Sequence, residues 1–204
     1  MIPTKKEWMD ALARRHGAAL QKRFSAASVA VCGLGGLGSN IATALARAGV
    51  GRLILVDFDR VDLSNLHRQQ YKAQQIGRRK TDALAENLLE IAPYAKIDSI
   101  PAQITEENCV QLLAGADVVC EAFDDARAKA MLTNQVLTAM PDTYLVAASG
   151  MAGLGSANAI RTKKITNRFY LCGDRVSDAE VVGGLLSCVS KIDKRVCKVG
   201  NFII

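Results

Sequence analysis

Residues 33–38 read Gly-Leu-Gly-Gly-Leu-Gly, and this run limits the possible folds more than any other part of the chain. The apolar residues 29–32 before it predict a buried strand, and residues 39–48 after it have the pattern of a helix that Gly49 ends. Glycines in such a turn let the backbone approach a phosphate closely, and the helix N-terminus supplies unpaired N–H groups. We therefore expect the turn to bind a nucleotide through Gly33, Gly35, Gly36 and Gly38.

Predicted strands and helices alternate as far as residue 148. The other strands are expected at residues 53–56, 96–100, 117–120 and 143–148, and the other helices at residues 78–91, 105–113 and 125–140. Alternation of this kind predicts an α/β fold with a Rossmann-like, mostly parallel sheet and helices on both faces. Residues 156–161 and 168–172 predict antiparallel strands, so we also expect a small antiparallel C-terminal portion.

Composition excludes several classes of protein. The 204 residues are 50% apolar and 23% charged, which fits one globular domain with a small appendage and excludes a wholly disordered chain. Residues 24–46 carry no charge, but their glycines and polar side chains argue against a membrane span. The six cysteines form no C-x-x-C pair, so we expect no zinc, and reduced thiols indicate a cytoplasmic protein.

The net charge of +6 is concentrated at the two ends of the chain, while the middle is slightly acidic. Basic ends suit an acidic partner or an anionic small molecule, and they also fit a merely solvated surface. Aromatic residues are not interleaved with the basic ones, so nucleic acid is a less favoured partner.

Acidic and cationic residues follow the second predicted strand. Asp57, at its end, is placed to accept hydrogen bonds from ribose hydroxyls. The glycine turn and Asp57 together fit NAD, FAD, S-adenosylmethionine or ATP equally well. A triphosphate that is to be cleaved needs side-chain cations to balance its charge, so Arg68 and Lys80 favour ATP, unless they are ordinary surface cations.

Two adjacent aspartates, Asp124 and Asp125, follow the strand predicted at residues 117–120. Ligands of open parallel sheets bind beyond the carboxyl ends of the strands, and Mg2+ is held by a few carboxylates together with substrate phosphates. The pair therefore predicts a magnesium site. The same two residues also fit the N-cap and first turn of the following helix, and for Asp125 the two interpretations are equally good.

Seven runs together resemble the ThiF/MoeB/HesA family of ubiquitin-activating-like adenylyltransferases, and most of all its short ThiF branch, which serves thiamine biosynthesis. The matching runs are GLGGLGSN at 33–40, LVDFD at 55–59, SNLHRQ at 64–69, IGRRK at 76–80, AFDD at 122–125, ASGMAG at 148–153 and FYLCGD at 169–174. The resemblance departs from many relatives in three respects. This chain has Asp125 where they have asparagine, it lacks their paired C-x-x-C zinc motifs, and its residues from 178 onward, with a basic run at 191–198, fit the family poorly.

The resemblance implies ATP-dependent adenylation of a small ubiquitin-like sulfur carrier of the ThiS type, whose chain ends in Gly-Gly. The terminal carboxylate of the carrier attacks the α-phosphorus of ATP, and pyrophosphate leaves. It further implies a homodimer in which an N-terminal arginine, here Arg14 or Arg15, reaches the site of the partner subunit. The roles that it implies are ribose binding by Asp57, phosphate binding by Asn65, catalysis by Arg68, Lys80 and Asp124, Mg2+ binding by Asp124, and further nucleotide contacts by Asp59 and Asp125.

Three other functions remain open from the sequence. The first is an ATP-dependent enzyme of the tRNA threonylcarbamoyladenosine dehydratase type, the second an NAD-dependent oxidoreductase, and the third a nucleotide-binding module without catalysis. For the adenylyltransferase we expect three segments. Residues 1–27 form an N-terminal helical segment, residues 28–175 the Rossmann-like adenylation domain, and residues 176–204 a tail whose structure the sequence does not define.

Overall fold

The computed structural model describes residues 2–149 and 159–175. Seven strands form one sheet in the order β3-β2-β1-β4-β5-β7-β6. The strands are β1 Ser28–Cys32, β2 Arg52–Val56, β3 Lys96–Ile100, β4 Val118–Glu121, β5 Tyr144–Ala148, β6 Arg161–Lys164 and β7 Phe169–Gly173. The helices are α1 Lys5–His16, α2 Ala18–Ala26, α3 Gly38–Ala48, α4 Lys80–Ile91, α5 Cys109–Leu112 and α6 Ala126–Ala139.

The pairing of the strands confirms the predicted fold class. Strands β1 to β5 and β7 pair in parallel, and β6 pairs antiparallel with β7 at one edge. Strand β1 lies between β2 and β4, so the chain leaves β1 toward one side of the sheet and later returns to its other side. In doubly wound sheets this is the place where ligands bind, beyond the carboxyl ends of the two central strands.

Alternate residues of the central strands feed two apolar cores, one on each face of the sheet. Val29 and Val31 of β1 pack in the same cluster as Ile41 and Leu45 of α3, with side chains of α4 completing it. Ala30 and Cys32 face the opposite way, into a cluster that contains Leu132 of α6. This division explains why the strands read as continuous apolar runs, since both of their faces are covered.

One predicted helix was wrong over half of its length. Residues 105–113 were expected to be helical with Thr105 as the N-cap, but the helix spans only Cys109–Leu112. The Oδ1 atom of Asn108 accepts a hydrogen bond from the Thr105 N–H at 2.8 Å, and its Nδ2 atom donates to the carbonyl of Gln103 at 2.9 Å. Side-chain bonds of this kind compete with helical ones and hold the segment as a turn.

The C-terminal hairpin was predicted in the correct sense but with shifted bounds. Strand β6 runs from Arg161 to Lys164, whereas the sequence placed it at residues 156–161, of which 156–158 lie outside the described residues. All four residues of β6 are exposed, so the strand has no apolar alternation from which it could be located. None of the helices in residues 2–149 and 159–175 is long and apolar enough to cross a membrane.

Candidate functional site

The glycine turn lies beyond the carboxyl end of β1, directly against the end of β4. Gly33 has φ +86°, and a Cβ atom there would lie 2.9 Å from the carbonyl oxygen of Ala122 and 3.0 Å from the Phe123 ring. A Cβ atom on Gly38 would overlap the carbonyl oxygen of Gly33. Both positions therefore require glycine, and the first turn of α3 is brought close to the end of the sheet as a phosphate-binding turn needs.

The first turn of α3 also ties the glycine turn to the segment that carries Arg68. The Nδ2 atom of Asn40 donates to the carbonyls of Gly36, at 2.6 Å, and Arg68, at 3.2 Å. Ser39 donates its hydroxyl to the Gly35 carbonyl at 2.7 Å and accepts from the Gln70 N–H at 3.1 Å. These two polar residues had no role in the sequence-based prediction, although both belong to the GLGGLGSN run.

Arg68 lies over the glycine turn. A methyl group on Gly36 would come within 3.2 Å of the Cγ, Cδ and Nε atoms of Arg68. Asn65 ends the 3₁₀ turn Leu63–Asn65, and its carbonyl accepts from the Arg68 N–H at 3.3 Å. Both side chains are half-buried. The structure thus places the Arg68 side chain against Gly36, with Asn65 bonded to the Arg68 backbone.

Asp57 is held beneath the glycine turn rather than left in solvent. Its Oδ2 atom accepts from the Leu34 N–H at 2.6 Å, and its Oδ1 atom accepts from the Asp59 N–H at 2.7 Å. Burial raises the pKa of Asp57 despite the charge of Lys80 and these two hydrogen bonds, which act in the opposite direction. Each carboxylate oxygen retains a second lone pair, so Asp57 is able to accept a ribose hydroxyl as well.

Lys80 is buried at the start of α4 and is paired with Asp59. The distance from its Nζ atom to the Oδ2 atom of Asp59 is 2.7 Å, and the two side chains are 7% and 48% exposed. The backbone N–H of Lys80 also donates to the Asp59 carbonyl at 3.0 Å. The cation predicted for the phosphates is therefore present beside Asp57, with its charge balanced by a carboxylate that water still reaches.

Two further residues, Tyr71 and Gln69, lie next to the glycine turn. Tyr71 donates its hydroxyl to the Leu34 carbonyl at 2.8 Å, and burial beside Asp57 and Asp59 raises its pKa, so it remains a neutral donor. The Nε2 atom of Gln69 is the nearest atom to a Cβ built on Gly35, at 3.9 Å. The Oε1 atom of Gln69 is buried without a hydrogen-bond partner within residues 2–149 and 159–175.

The two aspartates after β4 have different surroundings. Asp125 is the N-cap of α6, and its Oδ1 atom accepts from the Ala128 N–H at 2.7 Å. Asp124 is exposed in the turn between β4 and α6. The helix-capping interpretation thus applies to Asp125, while Asp124 is an exposed carboxylate next in sequence to Phe123, whose ring lies 3.0 Å from the position that a Cβ atom on Gly33 would take.

Glu121, at the carboxyl end of β4, forms an ion pair with Lys129 of α6, in which Glu121 is buried and Lys129 is 27% exposed. The Lys129 Nζ atom lies 3.0 Å from Oε1 of Glu121, whose side chain is 1% exposed. Burial raises the pKa of Glu121, while Lys129 opposes this shift. The sequence-based prediction missed the pair, because eight residues separate its members and neither lies in a motif with an assigned role.

Arg14 and Arg15 are not among the residues around the glycine turn. Both are exposed on α1. That helix meets the rest of the chain at Gly49, where Leu12 lies close to the glycine, at the end of α3 away from the glycine turn. Within the described residues, no cluster of three or more histidine, cysteine, aspartate or glutamate side chains is arranged to hold a metal ion.

The chain is similar in sequence to known proteins. The chain is 39% identical over 106 residues to the sulfur carrier protein adenylyltransferase of Thermus thermophilus, which is 52% of this chain and 39% of that protein. It is 34% identical over 122 residues to the tRNA threonylcarbamoyladenosine dehydratase of Escherichia coli, which is 59% of this chain and 46% of that protein. The chain thus spans less than half the length of these two curated relatives.

Solved structures of the Escherichia coli dehydratase share the fold. One has a TM-score of 0.85 at 22% identity, and the match covers 97% of this chain and 93% of that one. Another, a complex with ATP, has a TM-score of 0.74 at 22% identity and covers 98% of each chain. The model of the ThiF family matches residues 9–191 of the sequence. The chain therefore belongs to the ThiF family.

Proposed function

We propose that this protein is an adenylyltransferase that uses ATP to activate the C-terminal carboxylate of a small ubiquitin-like sulfur carrier protein. The observation that carries the proposal is the placement of two cations, Arg68 and Lys80, around one glycine turn that is anchored by Asp57. A dinucleotide needs little more than the N–H groups of the turn. Two side-chain cations at the same place suit a triphosphate whose α-phosphorus is attacked.

In the proposed reaction, a carboxylate oxygen of the carrier forms a bond to the α-phosphorus of ATP. The bond from that phosphorus to the oxygen bridging the α- and β-phosphates breaks, and pyrophosphate leaves with the electron pair. The products are a carrier acyl-adenylate and pyrophosphate. A carboxylate is already ionised at pH 7, so the site needs no general base. Asn65, Arg68 and Lys80 bind the phosphates, and the two cations stabilise the charge that develops on them.

The substrate is proposed to be the magnesium complex of ATP. Mg2+ neutralises phosphate charge and is usually held by one or two carboxylates together with phosphate oxygens and water. Asp124 fits this donor set, because it is an exposed carboxylate that directly follows Ala122 and Phe123, which pack close to Gly33, and it is not used as the helix cap. Asp57 binds the ribose, while Asp59 holds Lys80 in place until the phosphates arrive.

The carrier is proposed to end in Gly-Gly, like ThiS, and to belong to thiamine biosynthesis in the cytoplasm. The name of the Thermus thermophilus relative supports a sulfur carrier as the substrate, and the ThiF-like motifs support the pathway. A homodimer is part of the proposal. Since Arg14 and Arg15 lie away from the glycine turn of their own chain, a second copy is the means by which either would reach a nucleotide.

A second candidate is ATP-dependent chemistry on tRNA. It is favoured by the 34% identity to the Escherichia coli tRNA threonylcarbamoyladenosine dehydratase, and it requires the same nucleotide site. The two candidates differ in the acceptor of the adenylyl group. The exposed cations of α1 suit the phosphates of RNA as well as an acidic protein, so the charge of the chain does not discriminate between them.

The deciding experiment is ATP–pyrophosphate exchange with purified protein. We expect exchange in the presence of Mg2+ and a Gly-Gly-ended carrier, and none with the same carrier lacking its last glycine. Exchange that requires tRNA instead of the carrier would favour the second candidate. Thermal denaturation with ATP and with NAD is a parallel test, and stabilisation by NAD alone would rule out adenylation.

A further inference from the structure

The carboxylate of Glu121 joins three separate elements at the end of the sheet. Its Oε1 atom accepts from the Phe123 N–H at 2.7 Å, in the turn that leads to Asp124. Its Oε2 atom accepts from the Ala148 N–H at 3.4 Å, at the end of β5. Lys129 of α6 contacts both oxygens, at 3.0 Å and 3.2 Å, and donates to the Ala148 carbonyl at 3.1 Å.

The Glu121–Lys129 ion pair adds little to the stability of the fold, but its hydrogen bonds fix a particular backbone geometry. The carboxylate of Glu121 loses its hydration on burial, whereas Lys129, at 27% exposed, keeps part of its own, and an ion pair with a buried member is often no more stabilising than an apolar pair of similar volume. The Glu121–Lys129 pair, however, uses directional bonds to fix the backbone at Phe123 and Ala148. A Cβ atom built on Gly33 would lie 2.9 Å from the Ala122 carbonyl oxygen and 3.0 Å from the Phe123 ring, so the backbone that the pair fixes packs close to the glycine turn and leads on to Asp124.

We propose that Glu121 and Lys129 are positioning residues that hold the turn carrying Asp124 in the geometry needed to bind the magnesium complex of ATP. The inference rests on the proposed function and deepens it. Glu121 touches neither nucleotide nor metal in this scheme and acts through the Phe123 amide. Partners of this kind behind a metal-binding group typically change metal affinity by about 10- to 100-fold when they are removed.

The test is the affinity of the whole chain for ATP, measured by calorimetry with Mg2+ and again with EDTA. Glu121→Gln keeps an acceptor for the Phe123 N–H but loses the ion pair. Because the amide has a single acceptor oxygen, it cannot hold the Phe123 N–H, the Ala148 N–H and Lys129 together, and the turn is less firmly fixed. In EDTA the variant is expected to bind ATP with the affinity of the wild type, and with Mg2+ its affinity is expected to be about tenfold lower than that of the wild type. Lys129→Arg keeps the charge and is expected to retain most of that gain.

A matched control separates positioning from general loss of stability. Arg168 donates to the carbonyls of Leu137, Met140 and Thr143 at the opposite end of α6. Arg168→Met is expected to lower the melting temperature without changing the effect of Mg2+ on ATP binding. If Glu121→Gln does not fold, the double variant Glu121→Gln with Lys129→Met removes both charges and takes its place.

The outcomes distinguish this inference from the proposed function. If the wild type binds ATP more tightly with Mg2+ and the Glu121 variant keeps the whole of this gain, the positioning role is wrong and the nucleotide site stands. The positioning role would also be wrong if Arg168→Met reduced the gain in ATP affinity with Mg2+ as much as Glu121→Gln does. If the wild type binds no ATP, or binds it identically in Mg2+ and EDTA, the nucleotide site or its metal is assigned wrongly, and the inference fails with it.

Discussion

The ammonium group of Lys80 lies 2.7 Å from the carboxylate of Asp59, and its side chain is only 7% exposed. An ammonium at this depth needs a compensating charge, and Asp59 supplies one that remains partly hydrated. In the proposed reaction, the negative phosphates of ATP share the same cation without removing Asp59 from water. The ion pair therefore keeps a buried cation ready beside Asp57.

Lys80→Ala is expected to slow ATP–pyrophosphate exchange about a hundredfold, because loss of a preorganised charge at a developing negative charge costs on the order of 3 kcal/mol. The fold is expected to survive, since the Asp59 that remains is 48% exposed. Lys72→Ala is the matched control, because Lys72 pairs with Glu90 at 2.6 Å on the surface. Wild-type exchange in Lys80→Ala, or an equal loss in Lys72→Ala, would show that the cation is assigned wrongly.

The two aspartates after β4 are expected to respond differently to substitution. Asp125→Ala removes the N-cap of α6 and should lower the free energy of unfolding by about 1 kcal/mol. Asp124→Asn should leave stability within about 0.5 kcal/mol, since Asp124 is exposed, and should raise the Mg2+ concentration needed for half-maximal exchange. Denaturation and a magnesium titration of both variants measure the two effects. A stability loss in Asp124→Asn with unchanged magnesium dependence would contradict the assignment.

Two glycines of the same turn provide a test of packing against function. Gly38→Ala places a methyl group on the Gly33 carbonyl and should destabilise the fold by about 1–3 kcal/mol. Gly36→Ala meets only the flexible side chain of Arg68, at 3.2 Å, so stability should change by less than about 0.5 kcal/mol while exchange slows as Arg68 moves. Urea denaturation and exchange rates are the measurements. Equal stability losses in the two variants would mean that the turn has a different geometry.

The pH dependence of stability should reveal the buried carboxyl of Asp57. Because burial raises the pKa of Asp57, the native chain holds a proton that the unfolded chain has already lost above a pKa of about 3.9. The free energy of unfolding therefore falls as the pH rises from the unfolded pKa to the folded one. Relative to Asp57→Asn, which does not titrate, the wild type should lose stability between about pH 4 and the raised folded value.

Glu7 provides the opposite control for that measurement. Hydrogen bonds from Thr4 lower the pKa of Glu7, so its contribution is present above the unfolded pKa and is lost as the pH falls. Relative to Glu7→Gln, the wild type should therefore gain stability as the pH rises. Urea denaturation at several pH values measures both differences, and the same sign for both would contradict the environment described for Asp57.

The cysteines are expected to play no covalent part in activation. Cys32, Cys109, Cys120 and Cys172 are buried, and burial raises the pKa of the Cys32 and Cys109 thiols. The remaining two, Cys188 and Cys197, lie outside the described residues. Each single Cys→Ser variant that folds should retain exchange, and the carrier acyl-adenylate should be the released product. Mass spectrometry after incubation with ATP and carrier, without reductant, checks this, and an adduct on Cys172 or Cys197 would overturn it.

The sequence was sufficient for the parts of the site that depend on local order. The turn at residues 33–38 and Asp57 at the end of β2 each follow from a short stretch of chain next to a strand or helix, whereas the sequence left the capping and metal-binding interpretations of Asp125 equally good. The sheet also followed from local patterns, because apolar strands alternating with amphipathic helices have few ways to pack.

Contacts between distant segments could not be read in the same way. The pairing of Glu121 with Lys129 and Ala148 depends on the arrangement of β4, β5 and α6, and the reach of Asn40 to Arg68 depends on how the segment after β2 folds back. The helix predicted at residues 105–113 was too long for a local reason. The hydrogen bond between the Asn108 side chain and the Thr105 backbone holds residues 105–108 as a turn, although their sequence has a helical pattern. The Glu121 contacts, the Asn40–Arg68 bond and the turn at residues 105–108 all depend on side-chain geometry that a sequence pattern does not contain.

The adjacency of β1 and β4 has a consequence for the order in which the chain folds. Ser28 and Asp117, 89 residues apart, meet through the hydrogen bond from the Ser28 N–H to the Asp117 carboxylate at 2.8 Å. Strands β1, β2 and β3 pair with sequence neighbours and are synthesised first. Ala122 and Phe123, which pack close to Gly33, directly follow β4. The residues of the glycine turn are therefore synthesised long before the residues that cover the turn. Closure across so long a loop makes this step a slow one in folding.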